Sequence, residues 1–228
     1  MVSDNKIPIY FMPGLAASSK IFEHIFFDDA IYAFYFLEWK QPQKNEPLTQ
    51  YVQRLRADIV HENPILVGVS FGGIIVQEMA KLIHVRQLII ISSVLNESEF
   101  PPRMVLAQKL KLYYLFPTSL LSNLNYLKYV MVSKSLRKRF DLYKTYLSMN
   151  DKNYLDWAFK TILNWKANAT FTNANVIRIH GENDEVFPIK YINTTGCYII
   201  PKATHAMIVY KYRWFNKNLP LIINQTKL

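Results

Sequence analysis

Ser70 stands in Gly68-Val69-Ser70-Phe71-Gly72, between the apolar runs Ile65-Leu66-Val67 and Ile74-Ile75-Val76. The pattern of strand, sharp turn and helix sets a serine at the apex of the turn, where its hydroxyl can act as a nucleophile. Glycines flank it because the two backbone arms of such a turn approach each other closely. Phe71 then opens the helix, so its amide lacks a partner within that helix and is available to an oxyanion. A serine hydroxyl is a poor nucleophile until a neutral imidazole takes its proton, and a carboxylate must fix the tautomer of that imidazole. Both groups follow in the order Ser, Asp, His. Asp184 ends His180-Gly181-Glu182-Asn183-Asp184, and His205 ends Pro201-Lys202-Ala203-Thr204-His205.

Some alternatives stay open. Glu182 and Glu185 flank Asp184 closely, and Asn96 and Glu97 follow an earlier strand from which an acid could also reach the site. Among the histidines, His24 and His61 read as ordinary helix-region residues and His84 as part of a linker. His180, the last residue of a predicted strand, reads as structural, with support of the site as the alternative. No grouping of His, Cys, Asp and Glu has metal-ligand spacing, and the chemistry calls for no metal and no cofactor.

These residues need a frame. Pro8–Met12, Ile31–Leu37, Ile65–Val69, Gln87–Ser92, Val176–His180 and Gly196–Ile200 read as strands, most of them apolar on both faces. Helices are predicted over Lys20–Phe27, Thr49–Ile59, the stretch after Ser70 to about Ile83, and Met207–Asn218. Two-faced apolar strands alternating with helices indicate an α/β chain with a doubly wound parallel sheet of about six strands. From Pro101 to about Ala169 the chain has no glycine and reads as successive helices: Met104–Phe116, Leu120–Val132, Ser135–Ser148 and Asn153–Lys166. The expected organisation is a core of residues 1–93 and 170–228, with a helical segment, 94–169, inserted between them. Five of the six glycines fall in three loops at the carboxyl ends of strands, the edge at which open parallel sheets bind ligands. One of those loops, Gly14-Leu15, can supply the Leu15 amide as a second oxyanion donor beside Phe71.

At 228 residues, half of them apolar, the chain can bury a substantial core, and no apolar run reaches the length needed to span a bilayer. A lone cysteine, Cys197, and an N-terminus without an apolar leader lead to the expectation of a reducing, cytoplasmic setting. Cys197 itself is expected as a buried small hydrophobe. The net charge of +10 gathers partly at Lys134–Arg139. Without a nucleic-acid motif it reads as a solvated helix face, so no nucleic-acid partner is expected. Contact of this basic surface with an anionic membrane is the alternative.

The motifs Gly68-Val69-Ser70-Phe71-Gly72 and His180-Gly181-Glu182-Asn183-Asp184, with the late His205, resemble those of α/β-hydrolase-fold proteins, over nearly the whole chain. The resemblance implies Ser70 as nucleophile, Asp184 as acid, His205 as base, and the Leu15 and Phe71 amides as the oxyanion hole. It also implies that the helical insertion is a cap over the substrate pocket, and that the six strands begin at the third strand of the larger family sheet. Two positions depart from the family pattern: Pro13-Gly14 stands where His-Gly is usual, and Thr204 where many relatives carry glycine. The implied activity is hydrolysis of a carboxylic ester or thioester of a small, largely apolar molecule. Acyl transfer or C–C bond hydrolysis with the same triad, and a non-catalytic binding protein on the same fold, are the alternatives.

Overall fold

The computed structural model describes residues 6–114, 145–167 and 175–225. Six strands, β1 (Ile7–Met12), β2 (Tyr32–Phe36), β3 (Ile65–Val69), β4 (Gln87–Ile91), β5 (Asn175–Gly181) and β6 (Cys197–Ile200), form one all-parallel sheet in the order β2-β1-β3-β4-β5-β6. The order reverses at β1 and β3, and in such sheets the crevice outside the carboxyl ends of the strands at this point binds ligands. Pro8 is tolerated in β1 because the ladder with β3 begins only at Ile9, whereas Ile7 donates its amide towards the other neighbour, to Ile31 O.

Side chains of the strands alternate between two clusters. Tyr10, Met12, Leu66, Leu88 and Ile90 pack on one face against α1 (Leu48–Arg56), α2 (Phe71–Ala80) and α4 (Lys152–Asn164). Ile9, Phe11, Ile65, Val67, Ile89 and Ile179 pack on the other, against α5 (Met207–Tyr210) and α6 (Tyr212–Gln225). Burial on both faces is why the strands read as continuous apolar runs. α2 is buried almost all round, from Phe71 to Met79, so the helix that carries the serine turn lies inside the molecule.

Two helix expectations are corrected. Lys20–Phe27 forms only a short 3₁₀ turn at Ser19–Phe22, without a side-chain cap from Ser18. Ile21, Phe22, Ile25 and Phe27 are all buried, and that spacing fits no single helical face. The closing helix is two helices, parted at Lys211, whose φ of −99° and ψ of 19° leave the helical region. The break lets Met207 and Ile208 share one cluster with Phe215, Leu219, Ile222 and Ile223. Cys197 is only half-buried, against expectation, although desolvation still pushes its thiol up to about 11.

After β4 the chain leaves the sheet through α3 (Pro102–Lys109) and returns through α4 to β5. The helices expected at Leu120–Val132 and over most of Ser135–Ser148 lie outside the described residues, as does the basic run 134–139. The exit and return are tied by a buried ion pair. Arg178 on β5 meets Glu99 in bidentate fashion at 2.8 and 2.9 Å, and Glu99 also accepts the Leu95 and Asn193 amides. No helix among the described residues is long and apolar enough to cross a membrane.

Candidate active site

The serine turn follows from steric necessity. Ser70 has φ 54° and ψ −120°, a conformation costly for a residue with a side chain. Three hydrogen bonds hold it there. Its amide donates to Ile91 O at 2.9 Å, and its carbonyl accepts from the Gly73 amide at 2.9 Å and from Ser93 Oγ at 2.7 Å. A Cβ on Gly72 would strike the carbonyl oxygens of Met12 and Pro13, and one on Gly68 would strike the Gly72 carbonyl. The glycines are thus required by the closeness of β1, β3 and α2.

His205, in the loop between β6 and α5, reaches Ser70 Oγ with Nε2 at 2.9 Å. Its Nδ1 meets both carboxylate oxygens of Asp184, at 2.9 and 3.0 Å. A carboxylate can only accept, so Nδ1 carries the proton and Nε2 is left to accept from the Ser70 hydroxyl. Asp184 follows β5 and is 3% exposed. Its Oδ1 also accepts the Val186 and Phe187 amides at 2.8 and 2.9 Å, which fixes the carboxylate towards the ring. The other acids considered are engaged elsewhere: Glu182 takes the Lys202 amide, Glu97 the Ala167 amide, and Asn96 caps Ser98. Glu185 approaches the backbone amide of His205 at 3.5 Å rather than its ring.

Of the two amides named as oxyanion donors, Phe71 follows Ser70 in sequence, and Leu15 follows the glycine that packs against it. Phe71 is the first residue of α2, and Leu15 lies in the loop after β1, whose Gly14 packs against Ser70. Neither amide has a hydrogen-bond partner among the described residues. Thr204, where glycine was the family expectation, is held from α5: its amide and its Oγ1 both meet the Tyr210 hydroxyl, at 2.5 and 3.1 Å.

One supporting residue was not singled out in the sequence, and a second was weighed there as a possible support. Arg103 of α3 donates to the carbonyls of Glu185 and Val186 at 2.5 and 2.7 Å, gripping the loop that carries Asp184. Its only sequence signal is a basic residue after Pro101-Pro102. His180 supports the same loop from below: Nε2 donates to Phe187 O at 2.8 Å and lies 3.5 Å from Asp184 Oδ2. Burial is the main cause that pushes His180 below its ordinary value of 6.5, with the Arg178 and His205 charges acting the same way and Phe187 O and Asp184 opposing.

A stability prediction follows from that shift. The folded chain keeps His180 neutral, whereas the unfolded chain takes up a proton as pH falls through the ordinary histidine range. Stability is therefore unaffected by this residue at high pH and is lost as pH drops below about 6.5 towards the depressed value. Thermal melts of the parent and of His180→Gln across that range check it; equal slopes would remove His180 from the account.

Among the described residues no group of three or more His, Cys, Asp or Glu is placed to hold a metal ion. A cleft of about 1190 Å³ runs between the 42–49 loop and α4, but Ser70, Asp184 and His205 do not line it.

No protein-family model matches the chain, and no curated protein matches its sequence. Solved structures do. A carboxylesterase of the thaumarchaeon Nitrososphaera gargenis superposes with a TM-score of 0.71 at 14% identity, over 98% of this chain and 93% of that one. A lipase-esterase related protein from Clostridium acetobutylicum gives 0.64 at 16% identity, over 96% of each chain. A bromoperoxidase from Bacillus anthracis gives 0.65 at 18%, over 96% of this chain and 92% of that one. With its parallel six-stranded sheet, its strained serine turn between β3 and α2, and these likenesses along nearly its full length, the chain is an α/β-hydrolase-fold protein.

Proposed function

We propose that the protein is a serine hydrolase that cleaves a carboxylic ester or thioester of a small, largely apolar substrate through an acyl-enzyme intermediate. The observation that carries the reading is the imidazole of His205, which meets Ser70 Oγ on one side and buried Asp184 on the other at 2.9 Å. Ser70 Oγ attacks the substrate carbonyl while His205 Nε2 takes its proton, and Asp184 stabilises the imidazolium. The Leu15 and Phe71 amides hold the oxyanion of the tetrahedral intermediate. Collapse expels the alcohol or thiol, which leaves with the proton from Nε2. A water then gives its proton to Nε2 and attacks the acyl carbon, and the acid departs as Ser70 regains its hydrogen. In this scheme residues 94–169 form the cap over the acyl group. Structural relatives that include an esterase, a carboxylesterase and a lipase-esterase related protein agree with the chemistry.

A fluorophosphonate probe should label the protein once per chain, and Ser70→Ala should lose the label. A panel of esters and thioesters with graded acyl lengths then defines the substrate, with pocket depth appearing as a cut-off in chain length. Labelling that persists in Ser70→Ala would place the nucleophile elsewhere. A labelled protein that turns over no ester or thioester would instead be a binding protein or an acyl-transfer enzyme.

A further inference from the structure

Trp39 lies just beyond β2 and is 5% exposed. Its indole Nε1–H donates to Gly14 O at 2.9 Å, and the Ala17 amide donates to the same oxygen at 3.1 Å. Gly14 C=O and Leu15 N–H belong to one planar trans peptide, so they point in opposite directions. A donor that holds the carbonyl on one side therefore turns the Leu15 amide to the other. A Cβ built on Gly14 would lie 3.4 Å from Ser70 Cβ, so this peptide lies against the nucleophile.

The same indole lies on the second donor residue. Its ring stacks on Phe71 at 5.0 Å with the planes 14° apart, and Tyr154 lies next, at 5.4 Å. Tyr154 is fully buried, and desolvation pushes its phenol well above the usual tyrosine range. The neutral hydroxyl accepts the Ala16 amide at 3.2 Å, one residue beyond Leu15, where Ala16 has φ 60°.

We infer that Trp39 is a positioning residue for the oxyanion hole, orienting the Leu15 amide through Gly14 O and seating Phe71 through its ring. The inference rests on the serine-hydrolase reading above. Trp39 touches no reacting atom, so it acts only through the two amides. Pro13 itself has neither a side-chain donor nor an amide hydrogen with which to hold this loop.

The test separates ring from donor. Trp39→Phe keeps an aromatic ring and removes the N–H, and β-(3-benzothienyl)alanine in place of Trp39 keeps the bicyclic shape and removes only the donor. The second variant serves where the first folds poorly. Both should lower kcat on a short aryl ester about 10- to 100-fold, because a misdirected oxyanion donor costs transition-state binding. KM should stay within about threefold, since the ground-state ester leans less on that donor. Independently of turnover, the Leu15 amide resonance of protein made with isotope-labelled leucine should shift in both variants. A kcat within about twofold of the parent, or an unmoved Leu15 resonance, overturns the inference. A parent that hydrolyses no ester overturns the functional reading instead; the Leu15 resonance then decides the placement of the loop alone.

Discussion

Ser70→Ala is expected to lower kcat on a short aryl ester about 10⁴- to 10⁶-fold and to leave the melting temperature nearly unchanged. The size follows from the way the three side chains act as one unit: without Oγ, the imidazole of His205 and the carboxylate of Asp184 have no bond to make. What remains is catalysis by the oxyanion donors on a water molecule. The fold should survive because Ser70 is half-buried and its side chain bonds, among the described residues, to His205. The three bonds that hold the turn use the backbone of Ser70, and alanine keeps them. Ser70→Gly should be as inactive but more stable, by about 1 kcal/mol, because glycine adopts φ 54° without the Cβ penalty. For a chain of this length that is a rise of roughly 2–4 °C. Initial rates and thermal melts on the two variants check both statements. Parental rates in Ser70→Ala would end the mechanism, and a melting temperature for Ser70→Gly at or below that of Ser70→Ala would show that the turn stores no strain.

The largest loss of stability should come from Arg178. Arg178→Met leaves Glu99 as a charge 3% exposed, which among the described residues then faces the Leu95 and Asn193 amides alone. Breaking a buried pair from one side costs about 3–5 kcal/mol, which in a chain of this size lowers the melting temperature by roughly 6–20 °C. Pairing it with Glu99→Gln should recover part of that loss, since the amide keeps an acceptor for one backbone N–H and carries no charge. A double variant as unstable as the sum of the two single ones would show that the residues act independently.

The sheet and the serine turn were legible because each leaves a local mark. Ile65–Val69 and Gln87–Ile91 are buried on both faces, so apolar composition alone announced them, and Gly68 and Gly72 mark a place where two backbones touch. Ser70, Asp184 and His205 were legible by their order along the chain, and the structure brings their side chains together. Trp39 and Tyr154 were not. A tryptophan after a strand and a tyrosine on a helical stripe look like core, and core they are; what distinguishes them is that an N–H and an O–H find Gly14 O and the Ala16 amide across long stretches of sequence. The helix expected at Lys20–Phe27 failed for a related reason. Its local composition allowed a helix, and the need to bury Ile25 and Phe27 from one side of an extended chain prevailed.

The loop after β1 receives more from the distant part of the chain than from its own neighbours. Ser148 and Met149 donate their amides to Ala16 O, Ser18 donates its amide to Tyr146 O, and Tyr154 accepts from Ala16. Residues 146–154 therefore serve as scaffolding for the very peptide that faces Ser70. Insertions between β4 and β5 are attractive places to graft new specificity, because they look like detachable covers on a finished machine. Here the insertion and the loop after β1 share hydrogen bonds. A chimera that swaps this insertion for that of a relative must carry Tyr154 and the 146–149 stretch across the junction, or it alters the peptide against Ser70 along with the insertion.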